Sequence, residues 1–226
     1  MESIIFTTDA SIVLAELLGG IRHENLFIVA DKHTVGFCDR LFEKVDWIPS
    51  HVTVLDCGEE YKSIESVSRI WMMLSKRGAR RSSILVCVGG GVVTDLGGFA
   101  ASTFKRGMRC INVPTTLLAQ VDASLGGKTG FNFNGLKNEI GTFSIPEKVI
   151  IDVHFLSHLP VRERMSGFAE MIKHGLLSDR EYLTRLLSLD YQETSPEDFL
   201  ELIRRSVTIK DEIVSQDPRE QGLRKV

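Results

Sequence analysis

At 226 residues, with 43% hydrophobic and 25% charged content, the chain is long enough for one large domain or for one domain and part of a second. A formal net charge of -3 argues against the basic face that nucleic-acid binding requires, and no apolar run approaches the ~20 residues that cross a bilayer. The opening Met1-Glu2-Ser3-Ile4 has neither basic flank nor signal-peptide core, which predicts a cytoplasmic protein.

In chain order, residues 3–6 read as a short strand. A helix follows over 11–18, where Ile12, Leu14, Ala15, Leu17 and Leu18 make an apolar stripe stopped by Gly19-Gly20. Residues 26–30 form a compact apolar strand ending at Asp31, 34–44 a helix, and 52–56 another strand. A loop over 58–63 leads into a helix from 64 to 77. The β-branched run 84–88 is a strand, 92–103 a helix of small residues, 108–113 a strand, 115–124 a helix and 148–153 the last strand. Strands that are apolar throughout and alternate with helices predict a parallel sheet covered on both faces. The fold class is α/β, with a first domain over 1–153. From 154 the pattern is helical only: 161–177, 179–189 and 196–215, the last begun by Ser195-Pro196 in N-cap and first-turn positions. This reads as the start of an all-helical second domain over 154–226. Cys38, Cys57, Cys87 and Cys110 form no C-x-x-C pair, and Cys87 and Cys110 lie in apolar runs, so buried reduced thiols are expected.

The residues with chemical promise cluster between 84 and 138. Ligands of parallel sheets bind beyond the carboxyl ends of the strands. Asp31, the 58–62 loop, the Gly89-Gly90-Gly91-Val92-Val93-Thr94-Asp95 turn and Thr115-Thr116 all fall at such ends. Gly89-Gly90-Gly91 joins a strand to a helix whose free N–H groups favour an anion, and glycine lets a pyrophosphate approach the backbone. A purely structural turn is the other reading, although it accounts poorly for the additional Gly97-Gly98. Asp122 interrupts an otherwise apolar helix and needs a partner. Arg106, Lys128 and Lys137 are either solvated surface charges or, around Asp122, a pocket for a phosphorylated substrate. Glu170, Lys173 and His174 share one helix face, as a surface ion pair with an incidental histidine or as a carboxylate–imidazole metal pair. Spacing alone favours the ion pair.

Several long segments together resemble the 3-dehydroquinate synthase family: residues 89–101, 114–124, Gly126-Gly127-Lys128-Thr129-Gly130, Lys137-Asn138, Gly167-Phe168-Ala169-Glu170-Met171-Ile172-Lys173 and 217–224. The resemblance implies an NAD-binding α/β domain followed by a helical metal-binding domain. It also implies a lyase that uses NAD and zinc (or cobalt) to convert 3-deoxy-D-arabino-heptulosonate 7-phosphate to 3-dehydroquinate, in the shikimate route to aromatic amino acids. Implied NAD contacts are Asp31, Glu59, Lys62, Gly90, Gly91, Val92, Asp95, Thr115, Thr116, Lys128, Lys137, Phe155 and His158, the last standing where the family has threonine. Implied substrate contacts are Arg106, Asp122, Lys128, Lys137, Asn138, Lys173, Lys210 and Arg224. Glu170 matches the carboxylate metal ligand, and His174 matches no ligand. The family's two histidine ligands fall beyond the position of Arg224, and catalytic zinc takes about three protein ligands. The expectation is therefore an N-terminal portion of such an enzyme, a nucleotide-binding remnant that binds NAD without turning over substrate. A homodimer is implied as well. Related sugar-phosphate cyclases of the deoxy-inosose and valiolone type share the NAD and zinc apparatus and are the rival reading.

Overall fold

A computed structural model describes residues 3–190 and 194–222. The frame is a six-stranded sheet of β1 (Ile4–Thr7), β2 (Leu26–Asp31), β3 (Val52–Leu55), β4 (Ile84–Gly89), β5 (Arg109–Pro114) and β8 (Lys148–Asp152). Its order is β1-β8-β5-β4-β2-β3, and every neighbouring pair is parallel.

Pleating sorts the strand residues into two cores. Leu26, Ile28 and Ala30 of β2, with Ile84, Val86 and Val88 of β4, face α1 (Ala10–Leu18) and α2 (Cys38–Leu41). The alternate residues Phe27, Val29, Leu85 and Cys87 face α3 (Ile64–Lys76) and α4 (Gly91–Thr103). Burial on both sides explains why these strands are continuously apolar. Each fully buried Leu, Ile or Val contributes about 1.5–3 kcal/mol.

The same alternation in β8 joins the sheet to the helical part. Ile150 points toward α1, while Val149 and Ile151 pack with Met171, Tyr182, Leu186 and Ile203. These come from α5 (Val161–Ser178), α6 (Arg180–Leu187) and α7 (Pro196–Gln216). Helix α7 starts as expected, with Pro196 in its first turn and the Ser195 side chain accepting from the Asp198 N–H. Cys38, Cys87 and Cys110 are buried free thiols, as expected.

Three differences from the sequence reading have local causes. The 34–44 helix is shorter: a 3₁₀ turn at Val35–Phe37 runs into the one-turn α2, which ends at Leu41. The 115–124 helix is mostly a π-helical turn, Ala119–Ala123. Segment 128–143, which carried no strand expectation, is an antiparallel hairpin of β6 (Lys128–Phe133) and β7 (Leu136–Phe143). Its turn residues, Asn134 at φ 51° and Gly135 at φ 78°, have the positive φ that a two-residue hairpin turn demands.

Candidate functional site

The carboxyl ends of β2, β4 and β5, together with the loop after β3, converge on one edge of the sheet. At β2, Asp31 Oδ1 accepts from the N–H groups of His33 and Thr34 at 2.9 Å and from the Thr34 hydroxyl at 3.0 Å. All these contacts use Oδ1, so Oδ2 remains as an acceptor. At β4, Gly90 is the N-cap of α4 and no side chain caps that helix, which leaves its first N–H groups for an anion. Thr115 is buried and donates its N–H to the Gly89 carbonyl at 3.0 Å, and Thr116 Oγ1 accepts from Ala119 N at 3.2 Å. A dinucleotide fits this edge: an acceptor at the end of β2, a glycine turn and free helix N–H groups at the end of β4.

The glycines there also serve packing. A Cβ on Gly90 would stand 3.0 Å from Thr116 Cγ2, and one on Gly97 would lie 2.2 Å from Cys87 Sγ. Gly97 is small so that α4 can lie against β4, a reason separate from any ligand.

Beside this edge is a cleft of about 520 Å³ lined by Asp95, Asp122, Lys128, Asn138, Lys210 and Glu220, among others, a volume suited to a small ligand. Behind two of its lining residues the buried Lys62, 5% exposed, bridges Asp95 Oδ2 and Asn138 Oδ1 at 2.5 Å each. Burial pushes the Asp95 carboxyl up to about 6 against the pull of Lys62, and Glu59 and Asp122 raise it further. Asn132 clamps the hairpin to the loop after β3. Its N–H donates to the Lys62 carbonyl (2.8 Å), its amide to Glu59 Oε1 (2.9 Å), and its Oδ1 accepts from Asn138 N (2.9 Å).

On the opposite wall Asp122 pairs with Lys210 of α7. Lys128 pairs with Glu220 at 2.5 Å. Next to Asp122, Glu170 Oε1 takes Lys173 Nζ at 2.7 Å and lies 3.4 Å from His174 Nε2. His174, then Lys173, hold the Glu170 carboxyl down at about 2 against burial. Ligand atoms of Asp122, Glu170 and His174 all fall within 4.8 Å of one another; Asp122 Oδ1 carries the Lys210 ammonium, while His174 Nε2 is buried without a hydrogen-bond partner. The grouping is compact enough for one small divalent cation.

The cations around Asp122 differ from those the sequence suggested. Lys210 pairs with it, and Lys128 lines the same cleft. Arg106 does not: it is exposed at φ 63° in the turn between α4 and β5. Helix α4 carries the chain about 20 Å back from the ligand edge, which leaves Arg106 at the amino ends of the strands. Lys137 is exposed on the hairpin and is not among the cleft-lining residues, whereas its neighbour Asn138 is. Phe155 is a core residue, 8% exposed and 5.3 Å from the Phe37 ring, and the exposed His158 lies 5.9 Å from that same ring. Val92 sits in the first turn of α4, and Arg224 lies outside the described residues. Sequence reasoning missed Asn132 and Glu220. The Asn134-Gly135 pair, just after the alternating Phe131 and Phe133, was the signal for the hairpin that carries Asn132.

Comparison with known proteins matches residues 52–166 to a family model described as 3-dehydroquinate synthase N-terminal, and residues 167–226 to the corresponding C-terminal model. A 3-dehydroquinate synthase of Parabacteroides distasonis is 44% identical over 99% of this chain and 64% of its own length. One from Streptococcus pyogenes is 41% identical over 98% and 62%. The chain thus spans a little under two thirds of these relatives. Among solved structures, a 2-epi-5-epi-valiolone synthase of Streptomyces hygroscopicus with NAD+ and Zn2+ bound superposes with a TM-score of 0.82 at 28% identity, over 97% of this chain and 62% of that one. A 2-deoxy-scyllo-inosose synthase complexed with carbaglucose-6-phosphate, NAD+ and Co2+ superposes at 0.78 and 25% identity, over 98% and 62%. Among the described residues no helix is long and apolar enough to cross a membrane.

Proposed function

The chain belongs to the 3-dehydroquinate synthase family, and on that premise we propose that it binds NAD and a phosphorylated heptulosonate side by side at the carboxyl edge of its sheet. It would then form the dinucleotide- and substrate-binding part of an enzyme converting 3-deoxy-D-arabino-heptulosonate 7-phosphate to 3-dehydroquinate. The observation that carries this reading is the cleft in which Lys128, Lys210, Asn138, Asp122 and Asp95 meet beside the uncapped start of α4.

The assignment follows the geometry. Gly90, Gly91 and Val92 present backbone N–H groups to the pyrophosphate, and Asp31 Oδ2 accepts from a ribose hydroxyl. Glu59, Thr115 and Thr116 border the same edge, and Lys62, fixed by Asp95 and Asn138, holds the hairpin over it. Lys128 exchanges Glu220 for the substrate's anionic group, Lys210 and Asp122 orient its hydroxyls, and Lys173 adds a cation from α5. NAD bound at this edge would supply hydride-transfer chemistry, and a zinc or cobalt ion, for which Glu170 would be a ligand, would supply Lewis-acid chemistry.

The 226 residues alone are expected to bind NAD without appreciable turnover. Of the three clustered donors, Asp122 Oδ1 is taken by Lys210, which leaves at most Glu170 and His174 Nε2 where catalytic zinc takes about three protein ligands. A homodimer is part of the same reading, and the exposed Phe133, Leu136, Phe143 and Ile145 in and just after the hairpin favour association. Calorimetric titration with NAD, a phosphate-release assay with the heptulosonate phosphate, NAD and zinc, and light scattering test these points. No measurable NAD binding would refute the assignment, and steady phosphate release would refute the inactivity. The higher identity to the named 3-dehydroquinate synthases, 44% against 28% for the valiolone synthase, favours this substrate over those of related cyclases.

A further inference from the structure

The buried side of α5 carries a second group that the roles above leave unused. His174 is 1% exposed and Ser206, on α7, is 0% exposed. The two meet at 2.7 Å between Nδ1 and Oγ, so the imidazole is fixed across a helix–helix contact. Its other nitrogen, Nε2, has no hydrogen-bond partner and stands 3.4 Å from Glu170 Oε1, an ion-pair distance rather than a hydrogen-bond one. Asp122 completes the group within 4.8 Å. Tyr182 braces the junction from α6, donating its hydroxyl to the Leu202 carbonyl at 2.9 Å.

The charges around the ring select its tautomer. A lone pair on Nε2 would stand 3.4 Å from Glu170 Oε1 and be repelled, whereas an N–H there is attracted; Asp122, the other nearby carboxylate, is neutralised by Lys210. The Ser206 hydroxyl can donate as readily as accept, so it satisfies Nδ1 as an acceptor. Lys173 also binds Oε1 of Glu170, and the contacts of that carboxylate among the described residues all fall on this one oxygen.

We propose that His174 is a positioning residue: Ser206 donates to Nδ1, Nε2–H is directed at Glu170 Oε1, and Lys173 and His174 together turn Oε2 outward toward a divalent cation. The proposal rests on the reading of Glu170 as a metal ligand. Histidine–carboxylate partners behind metal ligands are worth about 10- to 100-fold in metal affinity.

Two measurements on the 226-residue chain test it. Long-range proton–nitrogen NMR of the imidazoles, assigned with His174→Gln, reads the tautomer without metal. Protonation at Nε2 is expected, and protonation at Nδ1 overturns the proposal. Zinc affinity by chelator competition is expected to fall about 10- to 100-fold in His174→Ala and less in Ser206→Ala, with recovery in His174→Gln, whose amide can still donate. Unchanged affinity in His174→Ala overturns the proposal. So does a His174→Gln variant as weak as the alanine, since that would make His174 a ligand itself. Should the wild-type chain take up no zinc, Glu170 lacks enough companion ligands within these 226 residues, and the resonances alone decide the proposal.

Discussion

Asp95 offers the sharpest test of the site's electrostatics. Its carboxyl is raised from 3.8 to about 6, chiefly by burial, although Lys62 Nζ lies 2.5 Å away. At about 1.36 kcal/mol per pH unit, that rise is a penalty of about 3 kcal/mol carried by the folded state when the group is ionised. The folded protein binds the proton more tightly than the unfolded chain, so stability rises as pH falls through the folded pKa and levels off below the unfolded one. Between about pH 7 and about pH 5 the gain is about 1.3 kcal/mol. Asp95→Asn removes this titration. Its constant cost reflects the lost ion pair with Lys62, while carboxyls with lowered pKa, such as Glu170, Asp56 and Glu147, titrate in both proteins and cancel. Urea denaturation followed by circular dichroism across this range should therefore show the wild type gaining on the variant as pH falls. Parallel stability curves would refute the burial argument.

Three further outcomes follow from the same geometry. Gly97→Ala should destabilise by about 1–3 kcal/mol through overpacking, because its Cβ meets Cys87 Sγ; thermal melts should show Cys87→Ala restoring most of the loss, and an absent rescue would disprove the clash. Gln120→Leu removes the amide that donates to the Pro114 and Asp152 carbonyls at 3.2 and 2.8 Å, at about 1–3 kcal/mol for each buried acceptor left unpaired, read by chemical denaturation. Lys62→Met cuts the tie between Asp95 and the hairpin and should weaken NAD binding about tenfold or more, from a charge-assisted bond worth about 1.5–3 kcal/mol. Calorimetry showing wild-type affinity would remove Lys62 from the cofactor site.

The sheet was legible because burial on both faces leaves continuous apolar runs, and strands at residues 26–31 and 84–89 stand out in that way. The residues at the strand ends could be placed for the same reason. The hairpin was not, because β7 is largely exposed and has no apolar face to declare it; Asn134-Gly135 was its one clear mark. Glycine was read as room for a ligand, whereas at Gly97 the neighbouring Cys87 explains it fully. Arg106 was grouped with Asp122 on charge and proximity in sequence, but a helix of 13 residues separates the two ends of the sheet. His174 could not be resolved by spacing, since what fixes it is Ser206, 32 residues away.

The pairing of β1 with β8 orders events during synthesis. Ile4 sits opposite Val149, so β1 has no sheet neighbour until the chain has grown by about 145 residues more, roughly 10–30 s at ribosomal rates. Meanwhile β2 to β5 can assemble into a four-stranded sheet with β5 as an open edge. Apart from Asn112, that edge is apolar from Cys110 to Val113, the kind of surface that recruits other strands. Arrival of β8 covers it and draws in β1, and the Asp152 carboxylate then takes the Ala10 N–H at 2.9 Å. The nascent chain is thus most exposed to misassociation in the interval before residue 148 emerges, and β1 acquires slow amide exchange only after the four strands that follow it.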